Sequence, residues 1–151
     1  MKIVENKKIY LKDFILLNEA WIEKYFEIEE IDKTLAKNPY FIIENGGYIF
    51  SMIEREDIIG VCALINHNDG IYELARMAVS EKYQGKGYGS LLIETCMNKL
   101  KNINAKKVYL VSNTKLKRAI FLYKKYGFHT THIGQHPMYK RANIEMERYI
   151  H

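Results

Sequence analysis

A glycine-rich turn between a predicted strand and a predicted helix constrains this chain more than any other feature. The turn is Gln84–Gly89 (QGKGYG), with strand-forming residues before it over 72–80 and a helical pattern after it over 90–100. Glycines at alternate positions allow a tight turn and a close approach to a ligand, because no Cβ intervenes. Free N–H groups at a helix start favour phosphate or pyrophosphate. The turn therefore predicts an anion-binding loop, and a turn without a ligand is the alternative.

The spacing of the glycines excludes two common nucleotide motifs. A P-loop needs four residues between its first glycine and a Gly-Lys-Ser/Thr sequence, and that spacing is absent. A dinucleotide-binding fingerprint reads G-x-G-x-x-G, whereas the third glycine here comes one residue early and no second Rossmann half follows. Nucleoside triphosphates and dinucleotides are therefore not the expected ligands.

Length and composition indicate one globular domain over residues 1–151. The chain has 151 residues, of which 48% are hydrophobic and 27% are charged, a composition typical of folded proteins. No apolar run reaches the roughly 20 residues that cross a bilayer, and Met1–Glu5 does not resemble a signal peptide, so we expect a cytoplasmic protein without a membrane partner. Cys62 and Cys96 lie in apolar stretches without metal-binding spacing, which predicts buried reduced thiols.

The formal charge of +5 leaves two interpretations open. A basic domain with many tyrosines can bind nucleic acid, but the tyrosines here fall mostly at core-periodic positions and the lysines are dispersed, so no nucleic-acid partner is expected. Five cations flank two candidate ligand loops, where they either form a solvated surface or face an anionic cofactor. They are Lys82, Lys86, Lys115, Lys117 and Arg118.

Hydrophobic periodicity predicts a mixed α/β domain. Helices are predicted from Tyr10 to Tyr25, Glu29 to Leu35, Ser90 to Leu100 and Leu116 to Tyr126, the last one ended by Gly127. Strands are predicted at Lys2–Glu5, Tyr40–Glu44, Tyr48–Glu54, Ile58–Ile65, Ile71–Val79, Lys107–Ser112, Phe128–Ile133 and Ile144–Tyr149, with a turn at 45–47. Two β-α-β crossovers in the second half imply locally parallel strands. In the strand Lys107–Ser112 the four inner residues, Val108 to Val111, are all apolar, which predicts a central strand covered on both faces.

Three linked motifs resemble the GCN5-related N-acetyltransferase (GNAT) family, in its small single-domain bacterial form. Gln84-x-x-Gly87-x-Gly89 is similar to the family's Q/R-x-x-G-x-G/A motif. Residues 73–79 and 108–113 resemble its fourth and fifth strands, and residues 119–128 resemble its FYxKxGF helix end. The order and spacing agree across nearly the whole chain, whereas the first 40 residues match only in pattern.

The resemblance implies an α/β fold with a mixed, mostly antiparallel twisted sheet that splays between its fourth and fifth strands. The implied order is strand, two helices, three strands, helix, strand, helix and two strands. Acetyl-CoA, the co-substrate, lies in the gap, where its amides can pair with backbone groups that lack a strand partner. The implied cofactor-binding residues are Met77, Ala78 and Val79 through their backbone, the turn residues Gln84, Gly85, Lys86, Gly87, Tyr88 and Gly89 around the pyrophosphate, Asn113 on the cofactor arm, and Tyr123.

Acetyl transfer to a primary amine also predicts catalytic residues. An alkylamine has a pKa of about 10.4, so a base must remove its proton near neutral pH. Glu73 is the candidate base, because it lies five residues before Ala78, where the histone-acetylating branch has its glutamate. A water chain and an ordinary glutamate paired with a lysine are the alternatives. A backbone N–H near Ala78 is the expected oxyanion donor.

Tyr123 is the expected partner of the cofactor sulfur. Ala119, Leu122, Tyr123 and Tyr126 share one helical face, so an ordinary core aromatic is the alternative. Full proton transfer from a phenol to a thiolate is uphill by roughly 2 kcal/mol. We therefore expect Tyr123 to stabilise the departing sulfur through a hydrogen bond instead. We expect direct attack in a ternary complex, since neither cysteine shows the pattern of an activated nucleophile.

Two further clusters have less specific interpretations. The histidines His129, His132 and His136 do not share a strand face, so no metal site is expected. Four acidic residues lie where the first two predicted helices meet: Glu27, Glu29, Glu30 and Asp32. They either form a solvated helix start or attract a cationic acceptor. The acceptor itself is a small-molecule or peptide amine. Relatives are often dimers, which allows a homodimer here, and a non-catalytic CoA-binding module is the rival function.

Overall fold

One sheet forms the centre of the molecule. In the computed structural model, which describes residues 1–150, its strands are β1 (Lys2–Glu5), β2 (Tyr48–Glu54), β3 (Asp57–Asn66), β4 (Ile71–Val79), β5 (Lys107–Ser112), β6 (His129–Ile133) and β7 (Ile144–Tyr149). The helices are α1 (Leu11–Tyr25), α2 (Glu30–Lys37), α3 (Phe41–Glu44), α4 (Tyr88–Asn102) and α5 (Lys117–Lys125), with short 3₁₀ helices at Lys8–Tyr10 and Glu81–Tyr83. The strands are arranged in the order β1-β2-β3-β4-β5-β7-β6.

The pairing of β4 with β5 is the exception in an otherwise antiparallel sheet. These two strands are parallel and pair only over Ile71–Glu73 and Lys107–Tyr109. Beyond these residues they separate, so the predicted splay between the fourth and fifth strands is confirmed. The second predicted crossover does not give adjacent parallel strands, because β7 lies between β5 and β6 and pairs antiparallel with both.

Two apolar layers cover the sheet. On one face, α4 buries five residues against the strands: Leu92, Ile93, Cys96, Met97 and Leu100. On the other face, Leu11 and Phe14 of α1 pack with Ile42, Ile49 and Val61. The cysteine prediction is confirmed, since Cys62 and Cys96 are buried free thiols whose Sγ atoms lie 3.5 Å apart. Within residues 1–150, no helix combines the length and the apolar character that crossing a membrane requires.

The strand prediction for Tyr40–Glu44 is wrong. This segment forms the one-turn helix α3, and Ile42 is buried in the second apolar layer. Pro39 precedes the helix with a backbone angle that suits a first helical turn. The turn residues 45–47 end this helix instead of joining two strands: Gly46 has a φ of +85°, and the N–H of Gly47 donates to the carbonyl of Ile42 at 2.9 Å. Left-handed glycine at a helix end is favourable, because it has no Cβ.

The prediction that β5 is covered on both faces is correct for one face only. Val108 and Leu110 are buried, whereas Tyr109 and Val111 on the opposite face are half-buried. The reason is that α1 and α3 pack on β2, β3 and β4 and do not extend over β5. An open groove is left on this side of the sheet.

Candidate active site

A cleft lies where β4 and β5 separate. Its walls come from both strands, from the end of α1 and from α5. The structure brings four of the predicted site residues together there: Glu73, Met77, Asn113 and Tyr123. The lining does not include Ala78, Val79 or the turn Gln84–Gly89. Ala78 is buried in the second apolar layer, and the turn follows β4 in the chain, just before α4.

A bulge in β4 shapes this part of the cleft. Ala75 pairs with Ala63 and Ala78 with Val61, so two residues of β4 lie opposite a single residue of β3. One of the two, Arg76, has a φ of +58°, an uncommon value for a residue other than glycine. Such bulges bend a strand and redirect its side chains. The bulge lies just beyond the last β4–β5 pair and so contributes to the separation of the strands.

The glycine turn has the open backbone that a phosphate site needs. Gly85 and Gly87 have φ values of +76° and +85°, and Gly87 is the N-cap of α4. A Cβ built on either of these glycines would meet no heavy atom within 4 Å, so the space next to the turn is free. The side-chain amide of Gln84 donates to the carbonyl of Val79 at 3.0 Å, which fixes the turn to the end of β4.

Tyr123 lies on α5 with its ring partly buried against the first apolar layer. It contacts Phe128 edge to face, with ring centroids 6.0 Å apart. Burial, and to a smaller extent the neighbouring Cys62, raises the pKa of the Tyr123 hydroxyl above its usual value. The hydroxyl therefore keeps its proton and can act as a hydrogen-bond donor toward the cleft.

Glu73 is buried and belongs to a hydrogen-bonded group with His67 and Tyr109, which we call the Glu73 group. Its Oε1 lies 3.0 Å from Nε2 of His67 and accepts from the Tyr109 hydroxyl at 3.3 Å. Only 8% of Glu73 is exposed, whereas the His67 side chain is 41% exposed. Burial, and next the charge of Glu73, raises the pKa of Tyr109, which keeps that hydroxyl a donor. Glu73 thus has no lysine partner among residues 1–150, and His67 connects it to solvent.

A largely buried ionic cluster contributes Arg76, Tyr139 and Arg141 to the lining of the cleft, and sequence reasoning did not find it. Arg76 of β4 donates to Oδ1 of Asp32 at 2.6 Å, and Arg141 donates to both oxygens of Asp32 at 2.6 and 2.7 Å. Arg141 also contacts Glu29 at 3.2 Å, and the Tyr139 hydroxyl accepts from Arg76 at 3.1 Å. We call these five residues the arginine cluster. Two of the acidic residues considered for acceptor binding are therefore paired within the protein.

Because of the arginine cluster, we expect the free energy of unfolding to decrease at acidic pH. Burial alone would raise the pKa of Asp32, but hydrogen bonds from Arg141, the Glu29 N–H and Arg76 outweigh it and lower the pKa from 3.8 to about 2. A lowered pKa stabilises the fold above pH 3.8, and this stabilisation is lost as the pH falls through about 2. The pH-dependent contribution of Asp32 to the free energy of unfolding amounts to about 2 kcal/mol.

Urea unfolding of Asp32→Asn against the parent protein, at several pH values from 6 to 2, measures this contribution. We expect a loss of stability at pH 6 that shrinks toward pH 2. Glu30→Gln is the matched control, because Glu30 is exposed on the same helix and pairs only with Lys33. A destabilisation of Asp32→Asn that stays constant over the whole range would contradict the assignment.

The remaining predicted residues near the cleft have other partners in the protein. The Asn113 amide donates to the carbonyl of Arg141 at 2.8 Å, and its oxygen accepts from the N–H of Lys115 at 2.9 Å. The Lys115 ammonium donates to the Tyr25 carbonyl and lies 4.0 Å from the ring centroid of Phe26. Four exposed cations remain around the two loops: Lys82, Lys86, Lys117 and Arg118.

The predicted strand conformation of His129 and His132 is confirmed in β6. The prediction that these two histidines lie on different faces of the strand is wrong, because a bulge between Thr130 and His132 places them opposite Glu147 and Glu145, which share one face of β7. In the part of the chain that the structure describes, no three His, Cys, Asp or Glu residues are placed to hold a metal ion.

Known proteins share this fold and parts of this sequence. The family model "Acetyltransferase (GNAT) family" matches residues 11–128. A GNAT-family acetyltransferase from Staphylococcus aureus superposes with a TM-score of 0.88 at 21% identity, over 99% of each chain. A spermidine N-acetyltransferase from Vibrio cholerae, solved with CoA and spermine, superposes with a TM-score of 0.73 at 20% identity, over 99% of this chain and 95% of that one.

Curated relatives match over part of their length. An uncharacterized N-acetyltransferase of Bacillus subtilis, YobR, is 27% identical over 116 residues, which are 74% of this chain and 46% of YobR. An amino-acid acetyltransferase of Pasteurella multocida is 24% identical over 101 residues, 66% of this chain and 22% of that enzyme. The aligned region thus spans less than half of these relatives. The family model covers most of this chain, and together with the splayed sheet it shows that the chain belongs to the GNAT acetyltransferase family.

Proposed function

We propose that this protein transfers the acetyl group of acetyl-CoA to a primary amine by direct attack in a ternary complex. The observation that carries the proposal is the separation of β4 and β5, which places Glu73 and Tyr123 on one cleft. In the reaction the amine nitrogen bonds to the acetyl carbon, the carbon–sulfur bond breaks, and the amine proton passes to the protein. Structural neighbours solved with CoA or acetyl-CoA support the choice of co-substrate.

The proposed cofactor site extends from the glycine turn into the cleft. Acetyl-CoA, when bound, supplies the activated thioester. The backbone of Gly85, Gly87 and Gly89 would hold the pyrophosphate with that of Lys86 and Tyr88, since the space outside the turn is free and α4 starts there. The backbone of Met77, Ala78 and Val79 would pair with the cofactor arm, because beyond Glu73 this edge of β4 has no pairing with β5.

Glu73 is the proposed base, and the Glu73 group gives the proton a route to solvent. The carboxylate is buried and accepts a hydrogen bond from Tyr109, while His67 is in contact with both Glu73 and solvent. A proton taken from the amine can therefore pass from Glu73 to His67 and leave the cleft. Proton transfer by a positioned side chain typically contributes 10²–10⁴-fold to a rate.

Replacing His67 with glutamine tests this route. Glutamine can keep a hydrogen bond to Glu73 but cannot relay a proton, so we expect kcat to fall about tenfold at pH 7. The deficit should shrink at higher pH, where more of the amine is already neutral. His129→Gln, on exposed β6, is the matched control, because its cross-strand neighbour Glu147 is already paired with Lys107. An unchanged kcat, or a deficit equal at every pH, would assign His67 a purely structural role.

Tyr123 is the proposed partner of the leaving sulfur. Its raised pKa makes complete proton transfer to a thiolate unfavourable, so the hydroxyl acts through a hydrogen bond. A backbone N–H of the β4 bulge near Ala78 would donate to the carbonyl oxygen during attack. One such donor typically contributes two to three powers of ten in rate.

Thiol release from acetyl-CoA, followed with and without a panel of amines, tests the proposed function. Release that depends on an added amine supports it. Acetyl-CoA binding without release for any amine would favour the rival, a non-catalytic CoA-binding module of the same fold. We expect amine-dependent release, because a module that only binds CoA does not need the Glu73 group.

A further inference from the structure

A second cavity, which we call the acceptor groove, opens on the face of the sheet that α4 does not cover. It shares Glu73, Arg76, Val111 and Tyr139 with the cleft, so the two spaces meet at the proposed base. Its remaining apolar lining comes mainly from α2, α3 and the ends of β3 and β4: Ile31, Leu35, Phe41, Ile42, Ile65, Ile71 and Met138. An amine that enters from this side would reach Glu73 with a hydrocarbon body against these residues.

Strand register places three carboxylates along the floor of the groove. Glu73 pairs with Tyr109 across β4 and β5, and Tyr109 pairs with Glu147 of β7. Two residues further along β7, Glu145 pairs with Val111. Residues paired in this way point to the same face of a sheet. Glu145 is thus two strands and two residues from Glu73, roughly 12 Å between Cα atoms.

The lysine and arginine side chains of the groove are already paired. Arg76 is matched by Asp32 in the arginine cluster. Lys107, the other lysine or arginine in the lining, lies 3.5 Å from Glu147. Glu73 and Glu145 are the lining carboxylates without a lysine or arginine partner among residues 1–150. The groove is therefore acidic, although the chain as a whole has a net charge of +5.

We infer that the acceptor is an amine with a second positive charge at the far end of a hydrocarbon chain, such as an α,ω-diamine. This inference rests on the proposed function. The reacting amine lies at Glu73 beside the cleft, and the second ammonium is held by Glu145 across the open face of β5. Between the two carboxylates, β5 presents Tyr109 and Val111 to the groove, and this largely apolar surface suits the methylene chain. The groove offers no unpaired lysine or arginine for a substrate carboxylate, so an amino acid fits it poorly.

A comparison of amines matched in length tests the inference. We would measure kcat/KM for 1,6-diaminohexane, hexylamine and 6-aminohexanoate, together with shorter and longer diamines and their monoamine counterparts. The best diamine should exceed its monoamine at least about tenfold, and the amino acid should be the poorest acceptor. Glu145→Gln should lower the ratio of diamine to monoamine about tenfold, whereas Glu56→Gln, in the β2–β3 turn, should leave it unchanged.

The outcomes separate this inference from the proposed function. Transfer that is equal for diamine and monoamine, or best for the amino acid, overturns the inference and leaves the acetyltransferase activity standing. A diamine preference that survives Glu145→Gln overturns the role of Glu145. Failure to bind acetyl-CoA, or binding without transfer to any amine, contradicts the proposed function as well.

Discussion

Replacing Gly87 with valine should abolish acetyl-CoA binding while the fold persists. Gly87 has a φ of +85°, where a β-branched residue is strained by about 1–3 kcal/mol. A valine side chain would also project into the free space that we assign to the pyrophosphate. We expect the affinity for acetyl-CoA to fall at least about 100-fold, which corresponds to about 2.7 kcal/mol. The rise in melting temperature that acetyl-CoA gives the parent protein should disappear.

Gly70→Val separates backbone strain from loss of the binding site. Gly70 has a similar φ of +79° but lies in the β3–β4 turn, where a Cβ meets only the Lys106 side chain at 3.0 Å. Both variants should lose some stability, and only Gly87→Val should lose the response to acetyl-CoA. If Gly87→Val still responds as the parent does, the turn does not hold the cofactor.

Tyr123→Phe should lower kcat about 100-fold and change the affinity for acetyl-CoA little. The ring would remain packed on Phe128, so the substitution removes only the hydroxyl that we place at the leaving sulfur. A hydrogen bond made mainly in the transition state acts on kcat and hardly on ground-state binding. Steady-state kinetics together with calorimetric titration of acetyl-CoA measures both quantities.

Tyr126→Phe is the matched control on the same chain segment. Its hydroxyl donates to Glu94 at 2.8 Å and lies outside the cleft lining, so its removal should leave kcat within about twofold of the parent value. Equal activity of Tyr123→Phe and the parent would reduce Tyr123 to a packing residue. A loss of affinity as large as the loss of kcat would place the hydroxyl in cofactor binding instead.

Local signals were sufficient to predict most of the fold. The glycine turn, the periodic face of α4 and Gly127 after α5 each specify a local geometry, and the structure has all three. The segment Tyr40–Glu44 was wrongly predicted as a strand, because four β-favouring residues beside an Asn-Gly-Gly turn indicate a hairpin. Tertiary packing decided otherwise, since burial of Ile42 and the close approach of Gly47 to β3 favour a helical turn.

The candidate site was only partly predictable, because its members meet through pairings between distant segments. Glu73 reaches Tyr109 only through the parallel pairing of β4 with β5, and no local pattern specifies that register. The arginine cluster joins α2, β4 and the β6–β7 loop over more than 100 positions of sequence. One local signal did exist: Glu29 and Asp32 have the spacing of a capping box, which ties acidic residues to a helix start. Their arginine partners have no such signal.

A single-turnover experiment tests the central claim most directly. The protein, in excess over labelled acetyl-CoA, is mixed with an amine, quenched at successive times, and analysed for CoA and for the acetylated amine. We predict that CoA and acetylated amine appear together at one rate, and that without the amine neither CoA release nor acetylated protein is found. Release of CoA before any acetylated amine forms, with the label on the protein, would contradict direct transfer in the cleft between β4 and β5.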